Sequence, residues 1–173
     1  MRAIYDYIIY TDGGCECNPG GRGGYGAVII NNNTGEFTDI SGGFRSTTNN
    51  RMEVMAVIKA LEKIKKDTHV QLFSDSQYVI KTMNGVFRKK KNIDLWKKLD
   101  KLAVAFEIEW NWVKGHNGNT YNERCDTLCQ EAMTLLELEE DEGYMNTDSV
   151  PEQSDTVAQS LEKYNMYPDC SDV

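Results

Sequence analysis

Three short segments rich in β-branched and aromatic residues open the chain, and turn-forming residues separate them. The first covers 4–10 and is followed by Asp-Gly-Gly at 12–14, which indicates a strand that ends in a loop. Segments 24–30 and 36–44 are the second and third, and the link over 31–35 is typical of a hairpin. The pattern predicts an antiparallel meander of three strands.

Helical periodicity begins directly after the meander. Apolar residues recur at helical spacing over 49–65, and Thr48, Asn49 or Asn50 can act as the N-cap. The remaining predicted elements are a strand at 70–73, a helix from the Ser-Asp-Ser at 74–76 through Met83, a helix over 93–106, a strand at 108–113 and a helix over 122–136. The order βββαβααβα predicts an α/β (mixed α+β) fold, a five-stranded mixed sheet with helices on both faces.

Charge divides the chain into two unequal parts. Residues 1–134 contain 18 Lys and Arg against 16 Asp and Glu, whereas residues 135–173 contain one Lys against 11 Asp and Glu. Low hydrophobicity combined with high charge favours disorder. We therefore expect a domain over 1–136 and a largely disordered acidic tail over 137–173. A short helix around 156–164 has no obvious docking face.

The five cysteines are Cys15, Cys17, Cys125, Cys129 and Cys170, an odd number. No apolar leader or membrane span precedes or follows them, so we expect a reduced, cytoplasmic protein with no membrane partner. Cys15-x-Cys17 and Cys125-x-x-x-Cys129 are two close pairs, but their spacing matches no recognised zinc finger. A structural zinc site and a redox-dependent thiol pair stay open as alternatives.

Four acidic residues stand at notable positions in or beside the predicted elements. They are Asp12 at a strand end, Glu53 early in a helix, Asp75 at a strand–helix junction and Asp126 within the last helix. Converging carboxylates repel one another, and hard oxygen-seeking cations such as Mg²⁺ or Mn²⁺ would neutralise them. For each residue taken alone, a helix cap or a solvated surface charge is an equally ordinary explanation.

The sequences around these carboxylates resemble type 1 ribonuclease H of the bacterial kind, over roughly residues 4–134. The matching motifs are Tyr10-Thr11-Asp12-Gly13, Cys15-x-x-Asn18-Pro19-Gly20, Thr47-Thr48-Asn49-Asn50-Arg51-Met52-Glu53, Ser74-Asp75-Ser76-Gln77-Tyr78-Val79, Asn92-Ile93-Asp94-Leu95-Trp96, Trp112-Val113-Lys114-Gly115-His116 and Asn122-Glu123-Arg124-Cys125-Asp126. Several long motifs in the family's order make an accidental match very improbable.

The resemblance implies an endoribonuclease that hydrolyses the RNA strand of RNA–DNA hybrids with two Mg²⁺ ions, Mn²⁺ being a substitute. The products would carry 5′-phosphate and 3′-hydroxyl ends. By the same resemblance, Asp12 bridges both metals and Asp126 completes the site that activates the attacking water. Glu53 and Asp75 would hold the metal near the leaving 3′ oxygen.

Two further residues match catalytic positions of the family. His116 corresponds to a histidine that assists protonation or product release, and its imidazole titrates near physiological pH. Gly115 and Gly118 around it indicate a mobile loop. Glu123 corresponds to a glutamate near the activating metal. The alternatives are a loop histidine without a catalytic role and an exposed charge in a first helical turn.

The resemblance also implies contacts with the substrate. RNA is told from DNA through its 2′-hydroxyl, and small amide side chains suit that task. The family positions that contact the hybrid are matched by Cys15, Asn18, Thr48, Asn49, Gln77 and Trp96. As ordinary alternatives, Asn18 is a turn former, Thr48 or Asn49 is a helix cap, and Trp96 is part of an apolar core.

The run Arg88-Lys89-Lys90-Lys91 is the only basic cluster in the sequence. It stands where many bacterial relatives have a longer basic protrusion, so it either contacts phosphates or is merely solvated. We expect no hybrid-binding domain before residue 5 and therefore a monomer of low processivity. Two rival functions stay open: a hybrid-binding module without catalysis, and another nuclease of the same superfamily.

The acidic tail has no counterpart in these motifs. A passive extension, autoinhibition by mimicry of nucleic acid and binding of an unknown partner are the three interpretations of it. On the first, truncation after about Leu138 leaves activity unimpaired.

Overall fold

The protein is described here from a computed structural model that covers residues 4–146. In chain order its elements are β1 (Tyr7–Cys15), β2 (Gly23–Asn31), β3 (Phe37–Phe44), α1 (Asn49–Leu61), β4 (Thr68–Ser74), α2 (Gln77–Met83), α3 (Ile93–Ala103), β5 (Phe106–Trp112), α4 (Thr120–Met133) and α5 (Glu142–Met145). The predicted order of elements from β1 to α4 is confirmed. The short helix α5 follows it within the segment that was expected to be disordered.

The five strands form one sheet in the order β3-β2-β1-β4-β5. β1 pairs with β2, and β2 with β3, in antiparallel fashion, as the meander predicted. β4 pairs in parallel with both β1 and β5. The predicted mixed sheet is therefore confirmed, and its antiparallel and parallel halves meet at β1.

Helices cover both faces of the sheet because its strands alternate apolar residues between two cores. In β2, Ala27 and Ile29 belong to the larger core, which packs against α1, α2 and α3. Val28 points to the opposite face and packs with Cys125 and Leu128 of α4. This alternation is the ordinary consequence of a strand that is buried on both sides.

Several element boundaries differ from the predicted ones. α1 ends at Leu61 rather than near residue 65, and α4, predicted to end at residue 136, ends at Met133. The helix predicted over 93–106 ends at Ala103, because Phe106 pairs with Thr68 as the first residue of β5. An apolar residue satisfies both a helical and a strand pattern, and pairing with a neighbouring strand decides between them.

The predicted position of Asp12 at a strand end is wrong. β1 continues through Asp12, Gly13 and Gly14 to Cys15, because β2 supplies an antiparallel partner for each of these residues. Asp-Gly-Gly is a common turn signal, but long-range pairing outweighs such a local preference. The parallel pairing with β4 does stop earlier, at Thr11.

Residues 137–146, which the sequence analysis assigned to the tail, contact the domain in the structure. Leu138 is buried, Glu139 forms a parallel bridge with Phe44, and Asp141 is buried. The boundary at residue 136 and the disorder beyond it stay predictions, and the helix expected at 156–164 lies outside the described residues. Within residues 4–146, no helix is both long and apolar enough to cross a membrane.

Candidate active site

Three of the four predicted carboxylates converge. Ligand atoms of Asp12, Glu53 and Asp75 all lie within 4.8 Å of one another. Asp12 is 1% exposed and Glu53 is 3% exposed, whereas Asp75 is half-buried. Of the side chains in residues 4–146, these form the one group of three or more that could hold a metal ion. Carboxylates so close together favour a bound divalent cation.

Strand register brings Asp12 and Asp75 together. Thr11 of β1 pairs in parallel with Ser74, the last residue of β4. Asp12 directly follows Thr11 and Asp75 directly follows Ser74, so the two aspartates lie side by side. In open sheets, ligands bind beyond the carboxyl ends of parallel strands, at the point where the topology switches. The chain leaves β1 towards β2 and β3 on one side and then returns to β4 and β5 on the other, so this point lies between β1 and β4.

Glu53 reaches Asp12 because α1 packs directly on β1. An added Cβ at Gly13 would overlap the backbone of Met52 and Glu53, so only glycine permits this close approach. The helix begins after Thr48, whose hydroxyl accepts a hydrogen bond from the Arg51 N–H at 3.2 Å. Glu53 therefore lies one turn into α1, which packs against Gly13, the residue after Asp12.

Asp126 lies on α4, outside the 4.8 Å group. The helix approaches the site from the other face: Gly26 pairs with Asp12 across β1 and β2, and an added Cβ there would overlap the carbonyl of Cys125. Asp126 is half-buried and accepts a hydrogen bond from Gln130 Nε2 at 2.9 Å. The structure therefore positions it on the neighbouring helix without joining it to the group.

His116 is exposed on the loop between β5 and α4, with a positive φ of 53°. The preceding residue, Gly115, lies against the carboxylate of Asp75. The indole N–H of Trp112 donates to the Asp75 carbonyl at 3.1 Å, which fixes the start of this loop beside the site. Glu123 is exposed in the first turn of α4, three residues before Asp126.

Two loops carry most of the predicted substrate contacts, and they are bonded to each other. The Asn49 N–H donates to Asn18 Oδ1 at 3.1 Å, and the Gly20 N–H donates to the Thr47 carbonyl at 2.8 Å. Asn49 Oδ1 is buried and has no hydrogen-bond partner in the described part of the chain. A buried amide oxygen without a partner is a group that a ligand can satisfy.

The other predicted contact residues differ in exposure. Gln77 is half-buried in the first turn of α2, two residues after Asp75. Trp96 is 1% exposed, and its indole N–H donates to the Tyr78 hydroxyl at 3.1 Å. The structure thus agrees with the core interpretation of Trp96 and leaves no surface for direct contact with a DNA strand. In the basic run, Arg88, Lys89 and Lys90 are exposed.

The three buried cysteines described as free thiols, Cys15, Cys125 and Cys129, form no metal-binding group within residues 4–146. Burial raises the pKa of the Cys15 thiol to about 12, and the thiol donates to the Gly21 carbonyl at 3.3 Å. Burial also raises the pKa of Cys125, and the charge of Asp12 adds to that rise. Because these thiols do not converge with other potential ligands in the described part of the chain, the structure gives no support to the zinc alternative.

A second charged cluster escaped the sequence analysis. Arg51 is fully buried between Asp94 and Asp141, with which it forms ion pairs of 2.7 Å. Arg51 and Asp94 stood inside quoted motifs, and Asp141 was counted with the acidic tail. The sequence signal for this cluster was an arginine next to Met52 at the start of an apolar helix. An arginine buried there requires carboxylate partners elsewhere in the chain.

The mixed sheet and the carboxylates beside its inner strands β1 and β4 define an α/β protein with a candidate metal site. A sequence profile of the RNase H family matches residues 5–134. Ribonuclease H of Aeromonas salmonicida (strain A449) is 47% identical over 149 residues, which cover 79% of this chain and 95% of the relative. Ribonuclease H of Shewanella halifaxensis (strain HAW-EB4) is 45% identical over 160 residues, 84% and 97% of the two chains. The chain belongs to the RNase H family, as its motifs predicted.

Solved structures agree with this assignment. The N-terminal RNase H domain of rv2228c from Mycobacterium tuberculosis superposes with a TM-score of 0.65 at 27% identity, covering 75% of this chain and 94% of that one. LC11-RNase H1, solved in complex with an RNA/DNA hybrid, has a TM-score of 0.61 at 29% identity, with coverages of 73% and 96%. The predicted ribonuclease H-like fold is confirmed.

Proposed function

We propose that this RNase H hydrolyses the RNA strand of RNA–DNA hybrids and leaves 5′-phosphate and 3′-hydroxyl ends. The convergence of Asp12, Glu53 and Asp75 next to Thr11 and Ser74, the last parallel pair of β1 and β4, carries the proposal. The hybrid bound to LC11-RNase H1 supports the same class of substrate for this chain.

The donor set fits a hard divalent cation, because all three converging groups are carboxylates within 4.8 Å of one another. RNase H enzymes use divalent metal, and we assign Mg²⁺, two ions per site, with Mn²⁺ as a substitute. Bound there, the ions would stabilise charge on the attacking and leaving oxygens of the phosphate. Asp12 would ligate both ions, Glu53 and Asp75 the ion on the leaving side, and Asp126 the ion on the water side.

His116 and Glu123 are the proposed auxiliary residues. Gly115, next to His116, lies against Asp75, and the imidazole itself is exposed, so it can meet a substrate phosphate from solvent. We assign it to protonation or product release. Glu123 precedes Asp126 by one helical turn on α4 and would act near the water-side ion.

The RNA strand would be recognised by the loops that carry Asn18 and Asn49. Their mutual hydrogen bond and the buried, unpartnered oxygen of Asn49 support a groove contact made by amide groups. Gln77 would extend this contact beside Asp75, Thr48 would bind a phosphate of the DNA strand, and the backbone at Cys15 would approach the RNA sugars. Trp96 is excluded from direct contact because it is buried.

The exposed basic residues Arg88, Lys89 and Lys90 would bind phosphates outside the active site. Lys89 already pairs with Asp100 at 2.8 Å, so part of this charge is internally compensated. Binding through such residues weakens as salt rises, because condensed counterions are released from the nucleic acid. We also propose that the protein is a cytoplasmic monomer with no membrane partner.

One assay tests the function. The purified protein is incubated with an RNA–DNA hybrid labelled on either strand, with duplex RNA and with duplex DNA, in Mg²⁺, in Mn²⁺ and in chelator. We expect cleavage of the RNA strand of the hybrid only, dependent on the metal, with 3′-hydroxyl ends on the products.

The two rival functions predict other results in the same assay. A hybrid-binding module without catalysis would bind the hybrid and leave it intact in both metals. Another nuclease of the superfamily would cleave duplex DNA or duplex RNA as readily as the hybrid. Either result would overturn the proposal.

A further inference from the structure

The segment that follows α4 returns to the domain at the end of β3. The Arg45 N–H donates to the Glu139 carbonyl and its Nε donates to the Leu138 carbonyl, both at 2.9 Å. Leu138 is buried beneath this contact, and Glu139 forms a bridge with Phe44. Loop 45–48, which leads into α1, therefore lies directly against residues 138–141.

Asp141 is the residue of this segment that enters the interior. It accepts two hydrogen bonds from Arg51, from Nε at 2.7 Å and from Nη2 at 2.9 Å. Asp94 binds the other edge of the same guanidinium at 2.9 and 2.7 Å. The side chain of Arg51 is 1% exposed and that of Asp141 is 4% exposed, so this contact excludes water. Bidentate arginine–carboxylate pairs of this kind fix geometry.

Thr47 links this ion pair to the two loops with the predicted substrate contacts. Its hydroxyl donates to Asp141 Oδ2 at 2.6 Å. Its own backbone bonds loop 16–22 twice, by accepting from the Gly20 N–H at 2.8 Å and by donating to the Gly21 carbonyl at 3.0 Å. Asp141 therefore contacts loop 45–48 directly at Thr47, and Thr47 connects it to loop 16–22.

The same network fixes the first turn of α1. Arg51 stands between Asn49, whose amide would read the RNA strand, and Glu53, which would ligate the metal. Its backbone N–H is capped by Thr48 at 3.2 Å, and its side chain is held by Asp141. A change at Asp141 therefore reaches loops 16–22 and 45–48 directly through Thr47, and it reaches the first turn of α1 through Arg51.

We propose that Asp141 is a positioning residue for the loops proposed to contact the substrate, acting through Thr47 and Arg51 on loops 16–22 and 45–48 and on Asn49 at the start of α1. This inference rests on the proposed function, because it takes those loops to be the ones that contact the hybrid. It assigns residues 138–144 to the working enzyme, whereas their acidic composition alone suggested a dispensable tail.

The test compares two variants of the full-length chain. Asp141→Asn keeps the shape of the side chain and removes its charge, while Glu142→Gln removes one charge from the adjacent exposed position. Amide hydrogen exchange is measured at Gly20 and Thr47, with Leu72 in the central sheet as the internal reference. We expect Asp141→Asn to raise exchange at both loop amides about tenfold, with Leu72 and the Glu142→Gln protein unchanged.

The kinetic readout separates positioning from stability. Well below the melting temperature, we expect Asp141→Asn to raise KM and the hybrid Kd about tenfold while kcat stays within about twofold, the signature of lost uniform binding. Thr47→Val, which removes only the hydroxyl, should move both quantities in the same direction. It retains the Arg51–Asp141 pair, so it remains informative if Asp141→Asn folds poorly.

Contrary results are distinct for the inference and for the function. Unchanged exchange at Gly20 and Thr47, a rise that Leu72 shares, or unchanged KM and Kd beside a lowered melting temperature would overturn the positioning role. A wild-type protein that neither binds nor cleaves the hybrid would overturn the proposed function instead, and the exchange comparison would still decide whether Asp141 holds the two loops.

Discussion

Two buried charged clusters meet on α1, and they differ in the balance of their charges. Glu53 joins Asp12 and Asp75, three groups of one sign, whereas Arg51, two residues earlier, lies between Asp94 and Asp141. Like charges at close range destabilise one another unless a cation is supplied, while a buried arginine between carboxylates is compensated within the chain. We therefore propose a metal-binding role for the first cluster and a positioning role for the second.

The largest expected effect comes from removing one charge of the carboxylate cluster. Asp12→Asn should lower kcat on the hybrid by at least about a hundredfold, because metal ions contribute several kcal/mol to stabilising such a transition state. The free energy of unfolding should stay equal or rise, because repulsion is relieved. Activity assays and urea denaturation check both. Asp39→Asn, at an exposed pair with Arg124, is the matched control and should leave kcat unchanged.

The second prediction removes a partner from the compensated cluster. A chain that ends at Leu138 loses Asp141 and should be less stable by about 3 kcal/mol, because Arg51 then keeps one carboxylate where it had two. A chain that ends at Asn146 retains the pair and should match the full chain. Urea denaturation of the three proteins measures the difference. Equal stability of the two truncated chains would show that the Arg51 pair contributes little.

These contacts revise one expectation from the sequence. Truncation after about Leu138 was expected to be harmless, since Glu139 to Glu142 are all acidic and look solvated. Asp141 differs from its neighbours only in its position opposite Arg51, some ninety residues earlier in the chain. A local sequence pattern cannot show a contact between residues so far apart in the chain. Composition alone therefore could not distinguish the buried Asp141 from the exposed glutamates beside it.

A smaller effect concerns pH. The hydrogen bond from Arg51 lowers the pKa of the Asp94 carboxyl below its ordinary value of 3.8. A carboxyl with a lowered pKa stabilises the fold fully above its unfolded pKa, and this contribution is lost as pH falls through the folded value. The stability difference between the wild type and Asp94→Asn should therefore be complete at neutral pH, begin to shrink as pH falls below about 3.8, and be lost once pH falls below the lower pKa of the folded protein. Denaturation curves over this range would contradict the assignment if the difference were independent of pH.

The smallest effect is chemical and concerns the thiols beside the two clusters. Burial raises the pKa of Cys15 to about 12 and also raises that of Cys125, where the charge of Asp12 contributes. At pH 8 both should stay in the unreactive thiol form. Iodoacetamide treatment followed by mass-spectrometric mapping should find neither residue modified in the native protein and both modified after unfolding. Rapid native labelling of either residue would contradict the expectation that both thiols are protected and unreactive.

The fold was largely predictable because its signals are local. Strand and helix periodicities predicted the order of the elements, and the motifs around Asp12, Glu53 and Asp75 singled out three carboxylates that the structure brings together. The element boundaries that were predicted wrongly depend on pairing between distant residues. β1 extends through Asp12 because β2 pairs with it, and Phe106 begins β5 because it pairs with β4. The convergence of the carboxylates likewise depends on the parallel register of Thr11 with Ser74, which no sequence pattern displays.

Calorimetric titration with Mg²⁺ tests the central claim most directly, because it asks whether the three converging carboxylates are a cation site. The account predicts that the wild type and Asp39→Asn bind Mg²⁺ with the same Kd and that Asp12→Asn raises that Kd at least about tenfold. An unchanged Kd in Asp12→Asn would contradict it.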